Sequence, residues 1–444
     1  WNGQNGVYYN GQLHIWNWNG SILTLEHGEE WHTGNNTHVY SVFAGDVDND
    51  GKVEIVTGGD AFDNQSQYIA EFRVWDWNGS TLTLETSQGW RTGNYAAIQS
   101  VYADDVDNDS VPEIVTCGND GSDAQLRIWN WNGTSLTLEH SEEWALAWLA
   151  RALSVITADI DIDGVVEIVT GGEANELYDT QWVSSSQLCV WNWNGSSLAL
   201  EDSVEWPLNG NSSYVWSVFS ADVDDDGVVE VLTGGSGANG THWVGKLDVW
   251  NFNGSKLVLE TNREWITGGF AEVSSVYATD VNNDGVIEIL TGGDAGLEDS
   301  IGGQLRVWAF DTGPPEIVEV SQSPESNVLP EDIVEVNATV VDHVSGVKEV
   351  SLNYTNGNGT WIIVNMTNLE GDVWNGTIPA FDYCTYVNYT IIAEDMVGYI
   401  ITSPEKFGYQ HQYHVVPEFP SLIILPLFMI VTLLTTIICK RKQM

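Results

Sequence analysis

The chain has 444 residues, enough for two or three domains with sizeable cores. Its 63 Asp and Glu against 14 Lys and Arg give a formal net charge of −49, which argues against nucleic acid as a partner and fits a solvated exterior surface. Eleven per cent aromatic residues, with 22 Trp, exclude intrinsic disorder.

The chain opens on Trp1-Asn-Gly3, in mid-pattern and without Met or a signal peptide, so a fragment or a processed form is expected. A four-part pattern then begins. Ser41-Val-Phe-Ala-Gly45 leads into Asp46-Val-Asp-Asn-Asp-Gly-Lys-Val-Glu54, and Glu54-Ile-Val-Thr-Gly-Gly59 leaves it. Phe72-Arg-Val-Trp-Asp-Trp-Asn-Gly79 and Thr81-Leu-Thr-Leu-Glu85 follow a variable loop. Alternation and β-branched or aromatic residues make each part a short strand, and Asn78-Gly79 is a two-residue hairpin turn. The unit is a four-stranded antiparallel sheet that recurs, and radial repetition of such sheets is a β-propeller.

The acidic loop carries the chemistry. Asp46, Asp48, Asp50 and Glu54 stand at positions 1, 3, 5 and 9, Gly51 at position 6 permits a sharp turn, and Lys52 at position 7 offers only its carbonyl. An oxygen-only cage of this pattern suits Ca²⁺. It recurs as Asp105, Asp107, Asp109 and Glu113, as Asp159, Asp161, Asp163, Val165 and Glu167, and as Asp222, Asp224, Asp226, Val228 and Glu230. The fifth copy is Asp280, Asn282, Asp284, Val286 and Glu288. Ser110 replaces the glycine of the second loop and Pro112 stiffens it, so that loop is expected to be the weakest. Four to five structural ions are expected. No GxSxG, HExxH or phosphate loop is present, and no repeat supplies an open metal position beside a base.

This arrangement resembles the FG-GAP or VCBS repeat of integrin-α-type propellers, over about residues 1–312. The resemblance implies Ca²⁺ in the hairpin between the first two strands of each blade, at the residues just named. The third strand occurs six times and the loop five times. Either the N-terminal strands close the ring or further blades lie upstream.

The paired tryptophans (Trp75 and Trp77, Trp129 and Trp131, Trp191 and Trp193) share a strand face and are read as packing between blades. Those that end the repeats, Trp31, Trp90, Trp144, Trp206 and Trp265, have polar flanks and are the better candidates for ligand stacking. Trp182 and Trp243, beside the variable loops, are candidate ligand contacts. Cys117 and Cys189 are read as repeat drift, because no cysteine spacing fits zinc or a redox pair.

Residues 313–410 read as about seven short strands. Asp342-His-Val-Ser-Gly-Val-Lys-Glu-Val-Ser-Leu-Asn-Tyr354 is similar to immunoglobulin-like or fibronectin-type-III modules of microbial surface proteins, which implies a β-sandwich stalk. The 16 Asn-x-Ser/Thr sequons, Asn35, Asn64, Asn211, Asn337, Asn365 and Asn388 among them, point to an extracellular glycoprotein. Residues 411–421 are expected to be a linker. Leu422 to Cys439 is long enough to cross a membrane, and the basic tail 440–444 places the remainder outside. Val416-Pro-Glu-Phe-Pro420 with this helix and tail is similar to archaeal PEF-type sorting signals, which implies an archaeosortase-like processing enzyme as a partner. The expected protein is all-β and surface-anchored, a Ca²⁺-stabilised adhesin for a glycan or a surface protein. The alternatives are a polysaccharide-acting lyase or hydrolase and a structural envelope component.

Overall fold

Alternating apolar positions become strands, and the secondary structure of the described residues is all β. The structure is a computed structural model. It describes residues 9–34, 36–62, 67–91, 93, 95–144, 149–178, 181–208, 212–297, 300–403 and 411–416. The chain divides into two bodies, Trp1–Ala309 and Phe310–Met444.

The first body begins with the hairpin β1 (Gly11–Trp18) and β2 (Leu23–Trp31). The first full sheet is β3 (Asn36–Gly45), β4 (Glu54–Phe62), β5 (Tyr68–Trp77) and β6 (Leu82–Trp90), paired antiparallel in that order. The second is β7 (Ala96–Asp104), β8 (Glu113–Asp120), β9 (Asp123–Trp131) and β10 (Leu136–Trp144). The third is β11 (Leu149–Ala158), β12 (Glu167–Tyr178), β13 (Gln181–Trp193) and β14 (Leu198–Trp206). The fourth is β15 (Ser213–Ala221), β16 (Glu230–Ala238), β17 (Trp243–Phe252) and β18 (Leu257–Trp265). The fifth holds β19 (Phe270–Ala271), β20 (Ser275–Thr279), β21 (Glu288–Leu297) and β22 (Ser300–Ala309), and joins β17 through Trp243 and Phe270. Among the described residues no strand of the fifth sheet pairs with β1 or β2. Apolar side chains stay exposed at both ends, Trp16 and Trp18 at one and Leu305 and Val307 at the other.

Successive sheets pack face to face, and the Thr-Gly-Gly motif sets how closely. A Cβ on the first glycine would enter the next sheet: at Gly58 it would lie 2.6 Å from Val101, and at Gly171 2.5 Å from Val218. A Cβ on the second would strike the bulged first strand, 1.9 Å from the His38 carbonyl at Gly59 and 2.0 Å from that of Tyr214 at Gly235. The motif's threonine anchors the tryptophan of the third strand. Trp75 Nε1 donates to Thr57 Oγ1 at 3.1 Å, and Trp129, Trp191, Trp250 and Trp308 repeat the bond to Thr116, Thr170, Thr233 and Thr291.

The tryptophans that end the repeats are packing residues, contrary to the expectation of free stacking platforms. Trp31 lies 4.9 Å from Trp75, Trp90 5.1 Å from Trp129, and Trp206 4.7 Å from Trp250, each against the following sheet. Arg73 and Arg127 cover Trp31 and Trp90 at 5.3 and 4.5 Å. Their polar flanks belong to the exposed outer strand; the ring itself turns inward.

The second body is a two-sheet sandwich. One sheet orders β23 (Glu316–Ser323), β24 (Val334–Val341), β28 (Val373–Ile378) and β27 (Thr367–Glu370). The other orders β26 (Ile362–Asn365), β25 (Val347–Thr355), β29 (Tyr386–Asp395) and β30 (Ile400–Thr402), with β31 (His411–His414) also on β29. Val334, Val336, Ala338, Leu352, Ile378 and Ile391 meet in a core shared by both sheets. Residues 411–416, expected in a linker, belong to this sandwich: β31 pairs with β29, and Tyr413 and Val415 are buried. Among the described residues no helix is long and apolar enough to cross a membrane, and the expected span 422–439 lies outside them.

Candidate functional site

The turn from first to second strand in each sheet is the acidic loop, and its aspartates fold it before any ion is considered. In the first loop Asp46 accepts the amides of Asp50 and Gly51 at 3.1 and 2.9 Å. Asp48 accepts Asp50 N–H at 3.1 Å, Asp50 accepts Lys52 N–H at 2.9 Å, and Glu54 Oε2 accepts Val47 N–H at 3.1 Å. Equivalent bonds recur in the other loops, with Val106, Ile160, Val223 and Val281 donating to Glu113, Glu167, Glu230 and Glu288. Position 7 (Lys52, Val165, Val228, Val286) gives its amide to position 5 throughout. The Lys52 ammonium sits 2.5 Å from Asp50 on the exposed side.

Two left-handed residues make the turn, at positions 4 and 6. Asn49, Asn108, Ile162, Asp225 and Asn283 have φ of 60°, 63°, 62°, 59° and 61°. Gly51, Gly164, Gly227 and Gly285 have φ of 87° to 92°, and Ser110 takes the same region at 75°. A Cβ at those four glycines would meet nothing within 4 Å, so Ser110 costs backbone strain without a clash.

Four loops bring ligand oxygens within 4.8 Å of one another: Asp46, Asp48 and Asp50; Asp105, Asp107 and Glu113; Asp159, Asp161 and Glu167; and Asp222, Asp224 and Asp226. Two oxygens each about 2.4 Å from one Ca²⁺ stand at most about 4.8 Å apart, so the donor set and its spacing fit that ion. Asp222 Oδ1 is buried without a partner, as an oxygen awaiting a cation would be. The fifth loop differs. Asn282 Nδ2 donates to Asp284 and Glu288 at 2.9 Å each, so an amide stands where the other loops hold the carboxylate of position 3.

Burial, and then the neighbouring aspartates, push the buried glutamates up: Glu54 and Glu230 to about 7, Glu167 to about 8. Glu113 is likewise raised to about 8 by burial and then Asp107. Asp48, Asp107, Asp161 and Asp224 are raised by burial as well.

A further carboxylate attends each of these loops, and the motif reading missed it. Burial raises Glu85, Glu139, Glu201 and Glu260, and the loop aspartates of the same sheet raise them further, at Glu85 after Asp76 of the third strand. The signal was present in the recurrent Leu-x-Leu-Glu of the fourth strand. The first three loops are also covered by the next sheet. A Cβ on Gly133, Gly195 or Gly254 would lie 2.6, 2.7 or 2.8 Å from Asp48, Asp107 or Asp161. The Asn-Gly hairpin of the second, third and fourth sheets thus closes on the acidic loop of the one before.

Strand direction places the variable loops at the opposite end. There the residue after Thr-Gly-Gly pairs with a first-strand residue, and both change from sheet to sheet: Asp60 with His38, Asn119 with Ala97, Glu173 with Arg151, Ser236 with Tyr214. The buried Asp60 carboxylate meets His38 Nδ1 at 2.7 Å and accepts the hydroxyls of Tyr40 and Tyr95 at 3.1 and 3.3 Å. Burial and then Asp60 raise both tyrosines, Tyr95 to about 12. Glu173 is ion-paired with Arg151. Trp243 continues a stack with Tyr214 and Trp216, centroids 5.7 and 5.5 Å apart. Trp182 lies on β13, its side chain outside the described residues.

Of the sequons, Asn35, Asn64 and Asn211 lie outside the described residues. Asn365 is exposed, Asn388 half-buried, and half-buried Asn337 accepts from Asn375 Nδ2 at 2.8 Å.

No curated protein matches the chain. Among solved structures, β-fructofuranosidase from Schwanniomyces occidentalis complexed with fructosyl-erythritol aligns over 86% of this chain and 89% of that one. The identity is 9% and the TM-score 0.30, too low to bear on fold or activity. A family model matches within the repeats: residues 105–170, from the second acidic loop through the third, are similar to the FG-GAP-like repeat.

Proposed function

We propose that the chain is a Ca²⁺-stabilised repeat β-propeller whose variable end binds a glycan, held out from the cell surface by an immunoglobulin-like stalk. The observation that carries this reading is the contrast between the two ends of the sheets. At one end the acidic loop is built alike sheet after sheet. At the other, the residues at Asp60, Asn119, Glu173 and Ser236 change with every sheet, with Tyr40 and Tyr95 beside Asp60 and the Tyr214, Trp216 and Trp243 stack beside Ser236. Aromatic faces stack on sugar rings, and buried carboxylate and amide groups read hydroxyls. Asp60 and Glu173 are already occupied by donors or a cation, which favours recognition over acid–base chemistry. The strand orders β23-β24-β28-β27 and β26-β25-β29-β30 agree with those of immunoglobulin-type sandwiches and support the stalk. The uncharged segment 422–439 and the basic tail support a membrane anchor with the rest outside, and the sequons support glycosylation. Pro417-Glu-Phe-Pro420 supports processing by an archaeosortase-like enzyme.

The test is binding of residues 1–416 to arrayed polysaccharides in Ca²⁺ and in EDTA, with released sugars assayed in parallel. Binding in Ca²⁺ that is lost in EDTA, without sugar release, is expected. Release of sugar would replace this reading with a polysaccharide-acting enzyme. An intact fold that ignores every glycan would replace it with a protein ligand or an envelope role.

A further inference from the structure

The sandwich holds a second kind of acidic cluster, unrelated to the repeat loops in sequence. Asp311 precedes β23, Asp342 follows β24, and Asp395 ends β29, yet one carboxylate oxygen from each lies within 4.8 Å of the others. The loops that carry Asp342 and Asp395 are bound together, with Met396 N–H donating to Gly346 O at 3.0 Å. Each of these two aspartates spends one oxygen on its own loop. Asp342 Oδ1 accepts the amides of Val344, Ser345 and Gly346 at 3.0, 2.9 and 2.7 Å. Asp395 Oδ1 accepts those of Val397, Gly398 and Tyr399 at 2.8, 2.5 and 2.9 Å.

The second oxygens are the telling ones. Asp395 has no solvent exposure, and its Oδ2 is buried with no hydrogen-bond partner; Asp311 Oδ2 is in the same state, as is the Ser345 hydroxyl. Lys348, the cation that acts on Asp395, is exposed and spends its ammonium on Glu394. Converging aspartates that keep buried carboxylate oxygens without a hydrogen-bond partner call for a cation. A shared proton would satisfy one pair of oxygens, whereas an oxygen-seeking divalent ion satisfies all three.

We propose that Asp311, Asp342 and Asp395 form a Ca²⁺ site of the sandwich, which ties the chain leading into β23 to the two loops after β24 and β29. Hydrogen–deuterium exchange of the full chain, with and without Ca²⁺, tests it. Ca²⁺ is expected to slow exchange of peptides covering residues 342–347 and 395–400 by about tenfold. Asp311→Asn leaves both loop caps intact and is expected to abolish that response while the repeat loops keep theirs. Asp395→Asn, whose amide oxygen can still cap the loop, is expected to do the same. Unchanged exchange of these peptides in the unsubstituted chain, or an undiminished Ca²⁺ response in Asp311→Asn, would overturn the site.

Discussion

Two residues in the acidic loops hold left-handed conformations that their side chains resist. Ile162 is β-branched at φ 62° and Ser110 stands at φ 75° in a glycine position. Strain of this kind costs on the order of 1–3 kcal/mol. Ile162→Asn and Ser110→Gly should therefore each stabilise the protein by about 1 kcal/mol in denaturant titrations. Drift at Cys117 also has a physical account. It fills the place of the first Thr-Gly-Gly glycine, and it packs among Ala150, Ala152 and Val155. Where Gly58 faces Ile98 and Gly171 faces Val215, the residue opposite Cys117 has shrunk to Ala152. Ala152→Val alone should overpack the contact and cost about 1–3 kcal/mol. Adding Cys117→Gly should recover most of that loss, and a double-mutant cycle measures the coupling.

The acidic loop and the neighbouring hairpin form one device at the scale of elements. Gly133→Ala sets a Cβ 2.6 Å from Asp48 and adds strain at φ 77°, whereas Gly79→Ala adds only the strain, with nothing within 4 Å. Gly133→Ala should therefore lower Ca²⁺ affinity at the loop of the preceding sheet, and Gly79→Ala should leave the affinity of its own sheet's loop intact; calorimetric titration separates the two. The raised glutamates set a pH dependence. Without metal the folded chain retains protons on Glu54, Glu113, Glu167 and Glu230 that the unfolded chain releases above about 4.5. This contribution is full below about pH 4.5 and is lost as pH rises through 7 to 8, so metal-free protein should be more stable at pH 5 than at pH 8. Ca²⁺ takes the ionised form, so its affinity should rise over the same window; melting curves at both pH values check each sign. Sequence spacing located these loops because nine adjacent residues contain most of the ligand set. It missed Glu85 and its equivalents, which approach only through strand pairing, and the cover from Gly133, which belongs to another sheet.

The same limit acts across the whole molecule. Repetition made the four-stranded unit legible, since Thr-Gly-Gly and the paired tryptophans recur with each sheet. The tryptophans that end the repeats were misjudged because their neighbours in sequence are polar, whereas their partners, such as Trp75 for Trp31, lie one sheet further on. Asp311, Asp342 and Asp395 are separated by tens of residues and follow no spacing rule, so only the fold brings them together. The most direct test of the account is thermal unfolding of residues 1–416 in Ca²⁺ and in excess chelator. An ion that binds only the folded state stabilises by about 2.7 kcal/mol per site at a hundredfold excess over its dissociation constant. A melting temperature that climbs with Ca²⁺ is predicted, with most of the gain lost when Asp48, Asp107, Asp161 and Asp224 are all changed to Asn. An identical melting temperature in Ca²⁺ and in chelator would contradict it.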